Sequence, residues 1–370
     1  MSEVLVEVTR GPLVELVYRG DIAVVDATGR LLYAAGDPVA RRTWWRSAAK
    51  PYQAVPLVYT GAADRYGLEP ADLALACASH NGEPEHTRRA EAILARIGLG
   101  PEALRCGAHE PFDRESARNL IRSGAGATPL HNNCSGKHAG MLALARHLGY
   151  DPAGYLDPGH PVQQVILENV AAVTGLPGSS IALAVDGCGV PTFGLTLYHM
   201  ALAFARLADP AAIPPEPGVE VALPPGYRPP GPEERRAAAA RVRAAMTAHP
   251  YLVAGRRRFD TALMEAAGGR IVSKIGAAGV WCAGVVPEAV QEIPALREAR
   301  GGVGIALKIE DQTLDGGPRE TAATALLAEL GILGATELER LHYYYRRPVR
   351  NVAGVPVGEQ RAVFRLRKVT

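Results

Sequence analysis

Residues 4–35, VLVEVTRGPLVELVYRGDIAVVDATGRLLYAA, decide the fold class of this chain. Val14–Tyr18, Asp21–Val25 and Leu31–Ala34 are rich in β-branched and apolar residues, which favour strands. Gly20 and Thr28-Gly29 are residue types that commonly form turns. The stretch therefore predicts an antiparallel start to a sheet, with a turn at Gly20.

The middle of the chain predicts mainly helices, and strands return near the end. The predicted helices are Ser47–Gly61, Pro84–Ile97, Ser116–Ser123, Ser135–Leu148 with Ser135 as N-cap, Val162–Val173, Glu233–Ala248 and Pro318–Leu330. The predicted later strands are Ile181–Val185, expected to be buried, followed by Ile271–Lys274, Gly279–Val286 and Val303–Ile309.

This order of elements predicts an α+β fold, with one antiparallel sheet formed by both termini and flanked by helices. Prolines crowd residues 207–234, and we expect a proline-rich surface loop at about 208–234 within a single domain spanning 1–370.

Composition excludes several classes of function. The formal net charge is +2 and charged residues make up 21%, so electrostatic attraction to nucleic acid or membrane is not expected. No segment approaches the ~20 apolar residues of a membrane span, and residues 1–8 do not have the pattern of a signal peptide. We expect a cytoplasmic protein with five reduced cysteines that acts on a small molecule.

Lysine is scarce, and its positions are informative. Only five of the 40 basic Lys and Arg residues are lysines: Lys50, Lys137, Lys274, Lys308 and Lys368. The first three lie in segments that also carry serine, cysteine or glycine. A desolvated lysine can act as a base, whereas arginine stays protonated. These three positions therefore indicate amine chemistry, although chance placement is the alternative.

Three short segments together indicate serine–lysine catalysis. Ser47-x-x-Lys50 at a helix start places the two side chains about one turn apart, so a neutral lysine could take the serine proton. Ser79-His80-Asn81 and Lys274-Ile-Gly276 follow in the order of the Ser-x-Asn and Lys-Thr-Gly elements of serine β-lactamases and penicillin-binding proteins. Taken alone, Ser47-x-x-Lys50 would more simply be a capping serine and a surface lysine.

A second constellation could hold zinc. Cys134 and Lys137 lie three residues apart, and Cys188 occupies a glycine-rich turn beside Asp186. Two cysteines on separate loops plus a third ligand suit zinc, and His138 or Asp186 could replace the lysine. The alternatives are two small buried cysteines, or Cys134 acting as a nucleophile activated by His138.

Polar residues near these segments are candidates for binding substrate. Arg46 precedes Ser47 and could hold a carboxylate in a bidentate contact. His80 and Glu83 could bind substrate or cap a helix, whereas His86 fits an exposed helix start. The neighbouring Trp44-Trp45 pair is expected to pack in the core.

Together these segments resemble the Rhizobium etli type L-asparaginases, the third structural class. The resemblance rests on Arg46-Ser47-Ala-Ala-Lys50-Pro, Ser79-His80 with Gly82-Glu83 and His86, Asn133-Cys-Ser-Gly-Lys-His138, Asp186-Gly-Cys-Gly189 and Lys274-Ile-Gly276. It runs from about Val4 to Leu330.

The resemblance implies a fold similar to serine β-lactamases and glutaminases, a homodimer and a zinc site. It implies Ser47 as nucleophile with Lys50, Ser79 with Lys274, and zinc on Cys134, Lys137 and Cys188. The residues expected to bind substrate are Arg46, His80, Asn133, His138 and Asp186.

The function predicted from these residues is hydrolysis of L-asparagine to L-aspartate and ammonia through a serine acyl-enzyme, with zinc orienting substrate or ordering loops. Glutamine or another small amide is an alternative substrate, since one methylene is worth only ~1–3 kcal/mol in a pocket. A non-catalytic protein that binds zinc or an amino acid is the alternative from another class.

Overall fold

The computed structural model describes residues 1–215, 220–310 and 317–369. The chain forms two compact units, each assembled from separate segments. The sheet unit comprises Met1–Ala48, Leu195–Ala212 and Ala262–Thr370, and the helical unit comprises Ala49–Gly194 and Ile213–Thr261. The single domain predicted from the sequence stays a prediction.

Strands and helices alternate along the chain in long blocks. The strands are β1 (Glu3–Arg10), β2 (Leu13–Asp26), β3 (Leu31–Ala35), β4 (Arg42–Trp44), β5 (Ala182–Val185), β6 (Pro191–Thr196), β7 (Ile271–Ile275), β8 (Val280–Val285), β9 (Val303–Ile309), β10 (Arg347–Arg350), β11 (Pro356–Ala362) and β12 (Arg367–Lys368). The helices are α1 (Lys50–Tyr59), α2 (Ala62–Arg65), α3 (Pro70–Ala76), α4 (Pro84–Arg96), α5 (Arg114–Arg122), α6 (Ser135–Leu148), α7 (Pro161–Thr174), α8 (Leu197–Ala208), α9 (Pro232–Ala248), α10 (Pro250–Val253), α11 (Phe259–Ala267), α12 (Pro287–Glu292), α13 (Pro318–Glu329), α14 (Ala335–Arg340) and α15 (His342–Tyr345).

The sheet unit is built around one antiparallel sheet to which both termini contribute. The main strand order is β10-β11-β1-β2-β9-β8-β7, and β3 pairs with both β2 and β12. Val6 of β1 lies opposite Ala362 of β11, and Ala23 of β2 lies opposite Ala306 of β9. The predicted mixed α and β fold with a sheet from both termini is therefore confirmed. The strands β10–β12 and the helix α8 were not predicted.

The predicted turn at Gly20 is wrong. Strand β2 runs through this residue without interruption, and Gly20 lies opposite Ile309 of β9. A Cβ atom at position 20 would lie only 2.3 Å from the carbonyl oxygen of Lys308. The glycine is therefore required by a close cross-strand approach, which a local sequence pattern does not distinguish from a turn.

Helix α8 packs directly on the sheet because two facing glycines have no side chain. A Cβ at Gly304 of β9 would lie 1.8 Å from the carbonyl oxygen of Ala201, and one at Gly284 of β8 would lie 2.4 Å from that of Phe204. Strands β8 and β9 are buried along almost their whole length. The core of the sheet unit therefore includes the α8 interface.

The helical unit surrounds α6, which is buried from Ser135 to Ala145. Helices α1, α3 and α4 pack against it. The bounds predicted for this helix are confirmed, but Ser135 is not its N-cap. Cys134 holds that position, its N–H is bonded to the Asn132 side chain at 2.8 Å, and the Ser135 hydroxyl donates to the Leu130 carbonyl at 3.0 Å.

Strand β5 was expected to be buried, and the proline-rich loop was expected to lie at the surface. Strand β5 is exposed rather than buried, with Val185 72% accessible, because it lies at the edge beside β6. The described residues of the proline-rich loop are mostly exposed or half-buried, and helix α9 begins at Pro232 within the end of this segment. Residues 216–219, including Pro217, lie outside the described residues. Within the described ranges, no helix is long and apolar enough to cross a membrane.

Candidate active site and metal centre

Several predicted site residues of the helical unit meet at the side chain of Lys50. Lys50 is the first residue of α1 and is 1% exposed. Its Nζ lies 2.5 Å from the carbonyl oxygen of Ala78, 2.9 Å from Oγ of Ser79 and 3.2 Å from Sγ of Cys134. Ser79 follows α3 and is fixed by a 2.9 Å bond from its N–H to the Val253 carbonyl. The structure thus brings together three predicted site residues that lie up to 84 positions apart.

Lys50 donates to three groups of different kinds. The Ala78 carbonyl can only accept, the Ser79 hydroxyl accepts through its oxygen, and the Cys134 sulfur accepts when it is a thiolate. The amine therefore joins a hydroxyl and a thiol group in one buried contact set.

A second amine lies among sulfur atoms. Cys134 precedes α6, and Lys137 in the first turn donates to Sγ of Cys188 at 2.9 Å. A hydrogen bond from the Cys188 thiol, reinforced by Lys50 and Lys137, holds the pKa of Cys134 well below its usual range despite burial. The same hydrogen bond and burial raise the pKa of Cys188. Cys134 is therefore the thiolate of the pair.

The charge on this cluster is balanced by Lys137. Burial acts to lower the pKa of Lys137, but Cys188, Cys134 and Asp186 outweigh it and raise the pKa above its ordinary value. Cys188 and Asp186 lie in the turn between β5 and β6, where the Asp186 N–H donates to the Val190 carbonyl at 2.8 Å. The predicted glycine-rich turn therefore delivers Cys188 to the first turn of α6.

The donor set fits a zinc-type ion. Two sulfur atoms and an amine nitrogen, from Cys134, Cys188 and Lys137, are the soft and borderline ligands that zinc accepts. No group of three or more His, Cys, Asp or Glu side chains in the described part of the chain could hold a metal. A metal at this position would therefore need the amine of Lys137 as a ligand, and its binding would have to displace the proton that the raised pKa keeps on that amine.

His80 is fully buried, and both its ring nitrogens are occupied. Its Nδ1 accepts from the Gly82 N–H at 3.1 Å, so Nε2 carries the proton and donates to Oγ of Ser135 at 2.9 Å. The ring stacks on His86 at 4.8 Å. Burial, with His86 and Lys50, lowers the pKa of His80 well below its ordinary value. His80 is therefore a neutral ring that stabilises the conformation of the loop 79–83 next to Ser79.

His86 and Glu83 anchor the same loop. The expectation that His86 is exposed is wrong, since it has no accessible surface and its Nε2 lies 3.2 Å from the Tyr251 carbonyl. Glu83 is 1% exposed and accepts from the Tyr251 hydroxyl at 3.0 Å and from the Arg256 N–H at 2.8 Å. Both side chains thus tie the start of α4 to Tyr251 of α10, and Glu83 also binds the segment that follows α10.

Asn133 precedes Cys134, and the N–H of His138 donates to the Cys134 carbonyl at 3.0 Å. Nδ1 of His138 lies 2.6 Å from the Tyr155 hydroxyl, and its buried Nε2 has no hydrogen-bond partner among the described residues. Burial, together with Lys137 and Lys50, lowers the pKa of His138 well below its ordinary value. The side-chain oxygen of Asn133 lies 3.3 Å from Sγ of Cys134. Asn133 therefore lies beside the sulfur, and His138 lies close enough to Lys137 and Lys50 for their charges to lower its pKa.

The remaining predicted residues belong to the sheet unit. Ser47 is partly exposed in a 3₁₀ turn, Arg46–Ala49, that runs directly into α1. Arg46 adopts a left-handed backbone with φ of 55°, a strained conformation for a residue other than glycine. Trp45 is buried as predicted, but Trp44 is 39% exposed.

Lys274 lies at the end of β7 and is fully buried, with Nζ donating to the Ile275 carbonyl at 2.9 Å. The next residue but one, Gly276, donates its N–H to the Val280 carbonyl at 2.9 Å. That N–H group is therefore committed within the hairpin.

The sequence of this chain matches the model of a known protein family. The profile of the L-asparaginase II family matches residues 6–362. The chain belongs to the L-asparaginase II family. This match spans nearly the whole chain and confirms the predicted membership of an L-asparaginase family, whereas the Rhizobium etli type stays a prediction. The match includes strands β10 and β11, beyond the segment to which the motif resemblance extended.

Solved structures give only distant matches to this L-asparaginase II family member. Two crystal structures titled Mglu in its native form, one of them in 4.3 M NaCl, align with 85% of the chain at 18% identity, with TM-scores of 0.37 and 0.40. A third, titled Mglu, aligns with 88% at 16% identity and a TM-score of 0.33. The chain spans 61–68% of the length of these proteins. No significant match was found among the curated proteins.

Sequence reasoning missed three residues near the cysteines of this family member. Cys106 is 5% exposed, and burial raises its pKa to about 11. The Tyr155 hydroxyl accepts from the Arg105 N–H at 3.0 Å, and Nε2 of His109 accepts from the Asn133 N–H at 2.9 Å. The segment Cys106-Gly-Ala-His109 carries a signal in its residue types, whereas Tyr155 lies in a stretch without a motif.

Proposed function

We propose that this protein is an L-asparagine amidohydrolase of the third structural class, the Rhizobium etli type. The observation that carries the proposal is the buried contact set of Lys50 with Ser79 and Cys134, within a chain whose family match spans residues 6–362. A non-catalytic binding protein would have no use for a buried lysine placed to exchange a proton with a serine.

In the proposed acylation, Oγ of Ser47 attacks the side-chain amide carbon of asparagine. The Ser47 proton passes to Lys50, and the carbonyl oxygen becomes an oxyanion held by backbone N–H groups. The Ser47 N–H is one donor, and a second comes from the segment 274–279. The N–H of Gly276 is not that second donor, because it is already bonded to the Val280 carbonyl. The C–N bond then breaks, and ammonia leaves with a proton supplied from Lys50 through Ser79.

In the proposed deacylation, water attacks the β-aspartyl ester of Ser47. The water loses a proton to the same Lys50 and Ser79 relay, and the ester C–O bond breaks to release aspartate and restore the Ser47 hydroxyl. The 2.9 Å contact between Lys50 and Ser79 supports this relay. Lys274 is proposed as the second lysine that acts with Ser79.

Zinc is proposed to bind Cys134, Lys137 and Cys188. The mutual contacts of their sulfur and nitrogen atoms support this assignment. When bound, zinc would supply a fixed positive charge that orders the substrate's amino-acid end. The chain's own contribution is to hold Cys134 as a thiolate at the start of α6 and to keep Cys188 within reach of Lys137.

The amino-acid end of the substrate is proposed to be recognised by charged and polar side chains. Arg46 would hold the α-carboxylate in a bidentate contact, and Asp186 would take the α-ammonium group. Asn133, whose side-chain oxygen lies 3.3 Å from Sγ of Cys134, and His138 would contact the same end. His80 is proposed to act on substrate binding through the Ser79 loop, since its two ring nitrogens are occupied.

We further propose a homodimer, a cytoplasmic location and a scaffold related to serine β-lactamases and glutaminases. The antiparallel sheet built from both termini and the order of the Ser47, Ser79 and Lys274 segments support the scaffold.

The test is ammonia release from L-asparagine and L-glutamine by the purified protein and by Ser47→Ala. We expect release from asparagine, a fall of at least about 10⁴-fold in kcat for Ser47→Ala, and unchanged activity for the control Ser123→Ala at the exposed end of α5. Activity surviving in Ser47→Ala at a comparable rate would remove Ser47 and favour Cys134 as nucleophile. Preference for glutamine would correct the substrate, and binding without turnover would favour a binding protein.

A further inference from the structure

Two charged residues at the start of α13 are buried in the sheet unit although no motif marks them. Arg319 is 4% exposed and Glu320 is 3% exposed. Nε of Arg319 donates to Oε1 of Glu320 at 3.1 Å, and its Nη2 donates to the same oxygen. Its Nη1 donates to the carbonyl oxygen of Gly276 at 2.9 Å. Burying an ion pair is costly, so the contact with Gly276 points to a use for this arginine.

The carbonyl that Arg319 holds belongs to a tightly packed residue. Gly276 follows the strand end that carries Lys274, and its N–H is bonded to the Val280 carbonyl. A Cβ atom at this position would lie 2.9 Å from the carbonyl oxygen of Trp45 and 3.0 Å from Cβ of Val280. The backbone of Gly276 therefore lies directly against the peptide of Trp45.

The peptide of Trp45 in turn leads into the proposed nucleophile. The Trp45 ring is fully buried and packs edge-on against Phe204 at 6.4 Å. Arg46 then takes its left-handed backbone, and Ser47 follows. A residue in this conformation persists only where the surrounding structure holds it. The contact between Trp45 and Gly276 is part of that surrounding structure.

We propose that Arg319, oriented by Glu320, is a positioning residue for the reaction: it fixes the Gly276 carbonyl and thereby the Trp45 peptide and the turn that presents Ser47. The inference rests on the proposed function, and every contact in it lies within the sheet unit. The planar guanidinium is suited to this role because its fork serves a carboxylate and a carbonyl at once, whereas a lysine ammonium is a single point charge.

The experiment compares Arg319→Met, Arg319→Lys and Glu320→Gln with Arg270→Met. Arg270 is a matched control because it precedes the other end of β7 and also joins a carboxylate, Glu337 at 2.5 Å, to a backbone carbonyl, Ala267 at 3.2 Å. Kinetic constants are measured per folded active site, after circular dichroism and thermal unfolding of each variant.

We expect Arg319→Met to lower kcat by about 100-fold with KM within about threefold, since a misplacement of about 1 Å can cost that much. Arg319→Lys and Glu320→Gln should lose less, because each retains part of the contact set. Arg270→Met should leave kcat within about twofold of the parent. Equal losses in Arg319→Met and Arg270→Met, or a kcat within about threefold of the parent in Arg319→Met, would overturn the proposal.

Hydrogen exchange separates this inference from the proposed function. Arg319→Met should speed amide exchange in the peptide covering 43–49, and Arg270→Met should leave that peptide unchanged. If the parent protein hydrolyses no amide, the proposed function fails while exchange still tests the contact. If Arg319→Met does not fold, Arg319→Lys and Glu320→Gln give the same comparison, and unchanged exchange together with unchanged kcat in both would overturn the proposal.

Discussion

Replacing Lys50 by methionine should abolish catalysis while changing stability little. The unbranched methionine side chain is only one atom shorter than that of lysine, so it occupies the buried site of Lys50 without a large change in volume. The substitution leaves Ala78 O, Ser79 Oγ and Cys134 Sγ without the Nζ partner that lies within 2.5–3.2 Å of each. Each buried group that loses its partner costs roughly 1–3 kcal/mol.

An opposing contribution comes from Lys50 itself. Burying an ionisable amine costs free energy of solvation, several kcal/mol when it is charged, and this cost disappears with methionine. The two contributions nearly cancel, so we expect the free energy of unfolding in urea to change by less than about 2 kcal/mol. The proton relay is lost entirely, and kcat for ammonia release should fall by about 10⁴-fold or more.

The pKa of Cys134 gives an independent readout. Lys50 is among the groups that lower it, so in Lys50→Met the thiolate absorbance should decline at a higher pH than in the parent. Lys308→Met is the matched control, because Nζ of Lys308 is likewise held by hydrogen bonds, to two backbone carbonyls at 2.6 and 2.9 Å, but at a partly exposed position. A Lys50→Met protein that keeps a tenth of parental kcat, roughly 1.4 kcal/mol of barrier, would refute the relay.

Two further predictions concern the metal centre and the buried histidines. Cys134→Ser should lower the zinc content measured by atomic absorption and raise KM for asparagine more than it lowers kcat; a total loss of kcat with unchanged KM would contradict the assigned role. Burial lowers the pKa of His80 and His86 below their ordinary value of 6.5. Below about pH 6.5 these rings are therefore protonated in the unfolded state but not in the folded state, and the folded state loses stability as the pH is lowered. As the pH is lowered, the free energy of unfolding should drop by up to about 1.4 kcal/mol per pH unit for each ring. In His86→Gln the slope measured by urea titration should be smaller than that of the parent by about the contribution of one ring.

The sequence predicts the class of the fold because its signals are local. The alternation of β-branched residues over 4–35 gives the first strands, and helical periodicity gives α6 and α7 almost to the residue. The turn predicted at Gly20 and the burial predicted for β5 were wrong, because cross-strand distance and edge position depend on chain segments far away. A short apolar run such as 181–185 carries no information about which side of it is covered.

The candidate site shows the same division. Motif spacing identifies Ser47, Lys50, Ser79 and Cys134 as residues of interest, but not that Lys50 reaches across to Ser79 and Cys134. Arg319 is invisible to sequence reasoning because it is one of 35 arginines, and nothing in its neighbours separates a buried guanidinium from a solvated one. Burial of an ionic residue is decided by tertiary packing, and it becomes apparent only with coordinates.

The interleaving of the two units along the chain has a consequence for biosynthesis. All residues of the helical unit have been synthesised once residue 261 has left the ribosome. Strand β2, in contrast, can pair with its neighbour β9 only after residues 303–309 have been synthesised. During that interval the apolar strands β1 and β2 have no inner partner, and unpaired strand edges promote aggregation. The half-exposed side chains of Leu13, Val14, Leu16 and Val17 on this hairpin add to the risk. Translation speed through residues 262–309 should therefore influence the soluble yield of this protein more than translation speed in any earlier stretch.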